Sequence, residues 1–178
     1  MHKDVEKILI SEQEIKEIVQ KMADEISRDY AEKMPLIIGV LKGSVVFMTD
    51  LMRAMTIDCE IDFMVASSYG KGTKTTGSVK IRKDLDTDIA GRDVIIVEDI
   101  LDSGVTLSNL IQLLKTRNPK SLKLAVFLDK PERRQAPVEY DYLGTVVPDE
   151  FIVGYGLDYA EKYRNLPYIG TLKQEAAQ

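Results

Sequence analysis

Glu98, Asp99 and Asp102 follow directly on the apolar run Val94-Ile95-Ile96-Val97, and Ser103-Gly104-Val105-Thr106 comes next. Acids placed this closely can hold sugar hydroxyls or a divalent cation. Alone they would repel phosphate. Hydroxyls, a glycine and the backbone N–H groups that open a helix attract it. The combination suits a sugar phosphate whose charge is shared with Mg²⁺, a cation that takes oxygen ligands and is commonly shared with substrate phosphates. The bland reading is a strand end with solvated acids and a helix cap. A strand followed by two acids would favour it; the whole string from Val94 to Thr106 does not.

The elements around this string must carry it. Val94–Val97 reads as a buried strand. Leu107, Leu110, Ile111 and Leu114 mark a helix that ends at Asn118-Pro119, and Leu122–Leu128 is another apolar strand. A β-loop-helix-β unit of this kind implies a parallel sheet with helices on its faces. In such sheets ligands sit beyond the carboxyl ends of the strands. Polar groups gather there: Lys42-Gly43 after Leu36–Val40, then Asp129-Lys130, then Asp158. Upstream, Ser11-Glu12-Gln13-Glu14 is a capping box, followed by apolar residues at helical spacing to about residue 31. A second helix runs from the Lys42-Gly43-Ser44 turn to about Met55. Between Ile57 and Val65 apolar and acidic residues alternate, which predicts a strand with Asp58, Glu60 and Asp62 on a wet face. Residues 68–78 are polar and glycine-rich without period, a loop of the length often found in lids. Val79–Arg82 resumes a strand and Phe151–Tyr155 reads as a late one.

Bulk properties narrow the class. A chain of 178 residues can bury a full core as one domain. Its net charge of −5 argues against a general nucleic-acid binder. Cys59 is the only cysteine, which fits a reducing compartment, and no apolar run is long enough for a membrane span. No signal-peptide pattern opens the chain, so a cytoplasmic setting is expected. His2, the only histidine, falls in a terminus expected to be mobile. Catalysis must therefore rest on carboxylates, lysine, metal and backbone.

The string Val94–Thr106 resembles the phosphoribosyltransferase family, whose phosphoribosyl pyrophosphate motif runs hydrophobic-Glu-Asp-x-x-Asp-Thr/Ser-Gly-x-Thr. Leu41-Lys42-Gly43, Ser68-Tyr69-Gly70, Leu128-Asp129-Lys130-Pro131 and Phe151-Ile152-Val153-Gly154-Tyr155-Gly156-Leu157-Asp158-Tyr159 occur in order. They are similar to the blocks of the bacterial-type hypoxanthine-guanine phosphoribosyltransferases, and the resemblance runs from Val5 to about Leu172. It implies the type I phosphoribosyltransferase fold: an α/β domain spanning 1–178, with a mainly parallel central sheet flanked by helices. It further implies a small hood from the N- and C-terminal segments and a flexible loop at about 68–78.

The resemblance also implies an activity, purine salvage. Hypoxanthine or guanine and phosphoribosyl pyrophosphate would give IMP or GMP plus pyrophosphate, with Mg²⁺. Asp102 is then the general base at purine N7. Glu98 and Asp99 serve ribose and metal, and Ser103, Gly104, Val105 and Thr106 the 5′-phosphate. Leu41, Lys42 and Gly43, with a cis peptide between Leu41 and Lys42, form the pyrophosphate loop, joined by Arg164. Lys130 donates to the purine 6-oxo group, and being donor-only it would discriminate against adenine. Phe151 stacks on the base, Ile152 offers backbone groups to its edge, and Asp158 holds a second metal. Ser68 and Tyr69 open the lid. The resemblance further implies a homodimer or homotetramer and, in some bacterial members, inhibition by guanosine tetraphosphate. No membrane or nucleic-acid partner is expected.

Each residue alone has a plainer reading. Lys42-Gly43 could be an ordinary turn, Lys130 a snorkelling lysine, and Phe151 a core aromatic. Tyr155, Tyr159 and Tyr163 suit packing better than chemistry, and Cys59 suits a small buried hydrophobe. Two other functions compete. A regulator on the same fold would sense phosphoribosyl pyrophosphate or nucleotides and bind RNA or DNA; the acidic charge, Lys130 and the block from Phe151 to Asp158 weigh against it. A metal-dependent phosphatase would leave Lys42-Gly43 and the hydroxyl-rich loop unexplained. Dinucleotide and P-loop fingerprints are absent from the sequence.

Overall fold

The computed structural model describes residues 1–68 and 79–177. The main sheet has six strands in the order β4-β3-β2-β5-β6-β7. They are β2 (Leu36–Val40), β3 (Glu60–Ser68), β4 (Val79–Lys83), β5 (Asp93–Leu101), β6 (Ser121–Asp129) and β7 (Tyr142–Val146). Every pairing is parallel except that of β3 with β4. A second sheet orders β1 (Val5–Ile10), β9 (Ile169–Leu172) and β8 (Ile152–Val153), all antiparallel.

Three helices cover the main sheet: α1 (Glu12–Asp29), α2 (Val45–Ala54) and α3 (Val105–Lys115). The strands sort their side chains between them by simple alternation. Ile37, Ile95, Val97 and Phe127 face the core shared with α1 and α2, which includes Ile15, Val19, Met22, Ile26, Phe47 and Leu51. Leu36, Ile38, Val94, Ile96 and Val126 face the core under α3, with Leu107, Leu110 and Leu114. Both faces are dry, so the central strands read as unbroken apolar runs. The first core extends through Ile10, Tyr155 and Ile169 into the small sheet.

The capping box that starts α1 is formed: Glu14 N–H donates to Ser11 Oγ at 3.2 Å, and Ser11 N–H donates to a Glu14 carboxylate oxygen at 2.7 Å. The Phe151–Tyr155 strand is shorter than expected and belongs to the small sheet, not the main one. Strands β1, β7 and β9 have no counterpart in the sequence reading. His2 is not loose: its N–H donates to the Tyr168 hydroxyl at 2.8 Å and its ring meets Tyr163 edge-on.

The wet face expected on β3 is overturned. Asp62 is 6% exposed and Met64 beside it is fully buried, whereas Ile61 on the opposite face is 44% exposed. Asp62 tolerates burial because its oxygens accept from the backbone N–H groups of Phe63 (2.7 Å), Asp86 (2.9 Å) and Thr87 (2.9 Å). It thereby ties β3 to the turn after β4. Burial pushes its carboxyl up, but those hydrogen bonds outweigh it and hold the group below its ordinary value. A depressed carboxylate contributes stability above its unfolded pKa and loses it as pH falls through the folded one. Asp62→Ala is therefore expected to cost about 2 kcal/mol at pH 7, roughly 4–8 °C in Tm. The gap to the parent should close as acid melts are taken below about pH 4; a gap independent of pH would contradict this account.

Candidate active site

The parallel strands β2, β5 and β6 all end on one side of the sheet, and the predicted residues cluster there. After β2 the chain turns through Leu41-Lys42-Gly43, and the Leu41–Lys42 peptide is cis as expected. Ser44 is buried and its Oγ donates to the Val40 carbonyl at 2.7 Å, closing the turn into α2. Gly43 has no room for a side chain, because a Cβ there would overlap the Asp99 carboxylate. Gly156 packs against Gly43 from elsewhere: with φ at +99°, its own Cβ would overlap the Gly43 carbonyl. Three segments far apart in sequence thus meet at Gly43, the Asp99 carboxylate on one side and Gly156 on the other.

Glu98 and Asp99 lie near the end of β5. Asp99 is buried and accepts from the Ile100 N–H at 2.8 Å. Burial, then the neighbouring Asp99 charge, push Glu98 well above the ordinary carboxylate range. Burial raises Asp99 as well, with the charge of Arg164 pulling the other way. Two acids forced together in this way favour a counter-charge or hydroxyl donors. Among the described residues no three potential ligands form a cage for a metal. Two adjacent carboxylates are the donor type that Mg²⁺ takes when it shares its other oxygens with a substrate.

Asp102 to Thr106 joins β5 to α3. Gly104 caps α3 in the left-handed region, at φ +77°, and supplies no side chain to the helix. Among the described residues the first turn takes a side-chain hydrogen bond only from the long Val105 N–H to Ser103 Oγ contact, at 3.4 Å. The N-terminal amides and the positive end of the helix dipole are thereby left to an anion. Asp102 Oδ1 is buried and finds no donor among the described residues. An orphaned acceptor at the strand end is available to a ligand N–H.

Lys130 follows β6. Its backbone N–H donates to the Leu101 carbonyl at 3.0 Å, so the end of β6 lies beside the end of β5. Its side chain is 7% exposed, and Nζ donates to the Glu150 carbonyl at 2.9 Å. That bond brings Lys130 to the residue before Phe151. The core reading of Phe151 fails: the ring is 53% exposed, held edge-on by Tyr159 at 5.2 Å between centroids. Ile152 is buried in β8, its side chain part of the first core.

Asp158 and Arg164 face each other at 3.1 Å, and Arg164 Nη1 donates to the Gly156 carbonyl at 2.7 Å. Arg164 Nε is buried without an acceptor among the described residues. Glu161, which the sequence reading passed over, pairs with Lys42 Nζ at 2.9 Å and lies 3.4 Å from Arg164 Nη2. Arg134 carries no role in the sequence reading, and Asp129 only that of a polar strand end, although they pair with each other and Arg134 reaches Asp102. Two charges bracketing the end of an apolar strand were the available signal. Ser68 ends β3, while Tyr69 and the rest of the expected loop to residue 78 lie outside the described residues.

Comparisons with known proteins place the chain among its relatives. Residues 5–160 match the family model of the phosphoribosyl transferase domain. The chain is 54% identical to the hypoxanthine-guanine phosphoribosyltransferase of Bacillus subtilis, covering 97% of this chain and 96% of that protein. It is 55% identical to the bifunctional protein TilS/HprT of Listeria innocua, of whose length it spans 27%. A hypoxanthine phosphoribosyltransferase crystal structure from Staphylococcus aureus superposes with a TM-score of 0.95, at 48% identity, over 100% of this chain and 97% of that one. No helix among the described residues is long and apolar enough to cross a membrane. The chain belongs to the phosphoribosyltransferase family.

Proposed function

We propose that this chain transfers the phosphoribosyl group of phosphoribosyl pyrophosphate to hypoxanthine or guanine, forming IMP or GMP and releasing pyrophosphate. The observation that carries this reading is the placement of buried Lys130 beside the phosphate loop, at the ends of adjacent strands. The near full-length similarity to the Bacillus subtilis enzyme supports it.

Breaking the bond at the anomeric carbon leaves positive charge on the ribose and negative charge on pyrophosphate. Free amides at the start of α3, with Ser103 and Thr106, would seat the 5′-phosphate. Glu98 and Asp99 would orient the ribose hydroxyls, and with Asp158 they are the residues to hold Mg²⁺. When bound, Mg²⁺ would supply charge neutralisation on pyrophosphate. The Leu41–Gly43 turn and Arg164 would bind the leaving group, the guanidinium by its planar fork. Lys130 would donate to the 6-oxo group while Phe151 covers the ring face. Asp102 Oδ1, unpartnered among the described residues, would take the N7 proton as N9 attacks.

The small sheet built from the two terminal segments would act as a hood, and residues 68–78 as the lid that keeps water from the reacting carbon. The same reading carries a cytosolic homodimer or homotetramer and susceptibility to guanosine tetraphosphate at the substrate site.

An assay of hypoxanthine, guanine, xanthine and adenine with phosphoribosyl pyrophosphate and Mg²⁺ should show transfer to the first two and none to adenine. Absence of transfer to every base overturns the reading. Asp102→Asn should lower kcat by about 10²–10⁴-fold with nucleotide binding largely kept; undiminished turnover would remove Asp102 from its role. Gly43→Ala should abolish most activity by displacing Asp99. Gly91→Ala, whose site is open despite φ +71°, should cost about 1 kcal/mol of stability and leave turnover intact.

A further inference from the structure

Arg134 has no part in the chemistry above, yet it touches both halves of it. Its Nη2 pairs with the carboxylate of Asp129, the last residue of β6, whose side chain is 6% exposed. Its Nε donates to the Asp102 carbonyl at 3.1 Å. The next two backbone N–H groups, of Gln135 and Ala136, both donate to the Ser103 carbonyl, at 2.8 and 3.1 Å. The stem of Arg134 lies against Gly104, where an added Cβ would come within 3.0 Å of Arg134 Cδ and 2.9 Å of the Ala136 carbonyl. One short segment therefore grips the Asp102–Gly104 turn by its carbonyls. Its guanidinium anchors that grip to the residue preceding Lys130.

We infer that Arg134 is a positioning residue, a strut that fixes Asp102 relative to Lys130. The inference rests on the proposed base chemistry, in which Asp102 addresses N7 and Lys130 the 6-oxo group. These two atoms are neighbours on one edge of the purine, so the groups that read them must be held at a matching separation. Strand pairing sets Leu101 opposite Asp129, and the Lys130 N–H donates to the Leu101 carbonyl, but Asp102 lies past the last paired residue of β5. Arg134 spans that gap. Two different nitrogens of one planar guanidinium bond to the two sides, which a lysine ammonium on a flexible stem cannot reproduce. Asp129 contributes as the anchor: buried, it holds the fork in one orientation.

The test uses the full chain with Arg134→Lys and Arg134→Met, read by steady-state kinetics, phosphoribosyl pyrophosphate affinity and amide hydrogen exchange. Both variants should lose about tenfold to hundredfold in kcat with hypoxanthine, the scale of a misplaced catalytic group. Affinity for phosphoribosyl pyrophosphate with Mg²⁺ should fall by a smaller factor than kcat, since only the 102–106 turn is loosened while the acids at 98 and 99, the Leu41–Gly43 turn and Arg164 still hold the ligand. Amides of residues 102–106 should exchange faster in both variants, with those of α1 unchanged. Parent-like kinetics and exchange in Arg134→Lys would overturn the strut, leaving only a role for charge. Uniformly faster exchange across the chain, with a matching fall in Tm in both variants, would overturn it in favour of general stability. Exchange at 102–106 is read without catalysis. A parent that transfers to no base would sink the functional reading, and unchanged local exchange would sink the strut independently.

Discussion

The site depends on one close approach: the Asp99 carboxylate, Gly43 and Gly156 stacked without room for a methyl group between them. This contact joins the end of β5, the turn after β2 and the loop after β8. Each carries a different kind of chemistry. The acids come from the first, backbone amides from the second, and through Gly156 the third brings Asp158 and Arg164. Glycine is needed at two of the three positions for space rather than flexibility. At Gly156 the positive φ adds a conformational reason.

The parallel sheet makes such a meeting possible and also costly. Both its faces are covered by apolar side chains, so polar groups can collect only at its ends. At the carboxyl end the acids crowd, and burial raises both Glu98 and Asp99. The cations are spent locally: Lys42 on Glu161, Arg164 on Asp158 and the Gly156 carbonyl, and Arg134 on Asp129. A ligand rich in phosphate and hydroxyl groups is what this charge pattern matches, because it offers donors to the acids and acceptors to the cations.

The sequence made the central elements legible because local signals and burial agree there. Val94–Val97 is apolar since both sheet faces are dry, and the acid and hydroxyl string marks where the dry region stops. The β3 alternation misled because polarity was taken as a proxy for exposure. Asp62 is buried at little cost, since three backbone donors satisfy it, and two of them lie more than twenty residues away. The small sheet was illegible for a related reason. β1 and β9 are short and pair across nearly the whole chain, from Val5 to Leu172, so neither carries a local signature of its partner. Glu161 and Arg134 were missed because their significance lies in what they touch, which spacing does not record.

The two long helices begin differently. α1 is closed at its first turn by Ser11 and Glu14, a complete reciprocal cap. α3 starts at a glycine that offers no side-chain oxygen. The chain therefore finishes α1 from its own residues but leaves the start of α3 without a side-chain cap, open to an anion. Folding and occupancy become thermodynamically linked at that helix. Above its Kd, each tenfold rise in the free concentration of a phosphate ligand bound there would add about 1.4 kcal/mol to the native state, as mass action requires. A phosphate seated there would in this sense be the last piece of secondary structure the protein acquires.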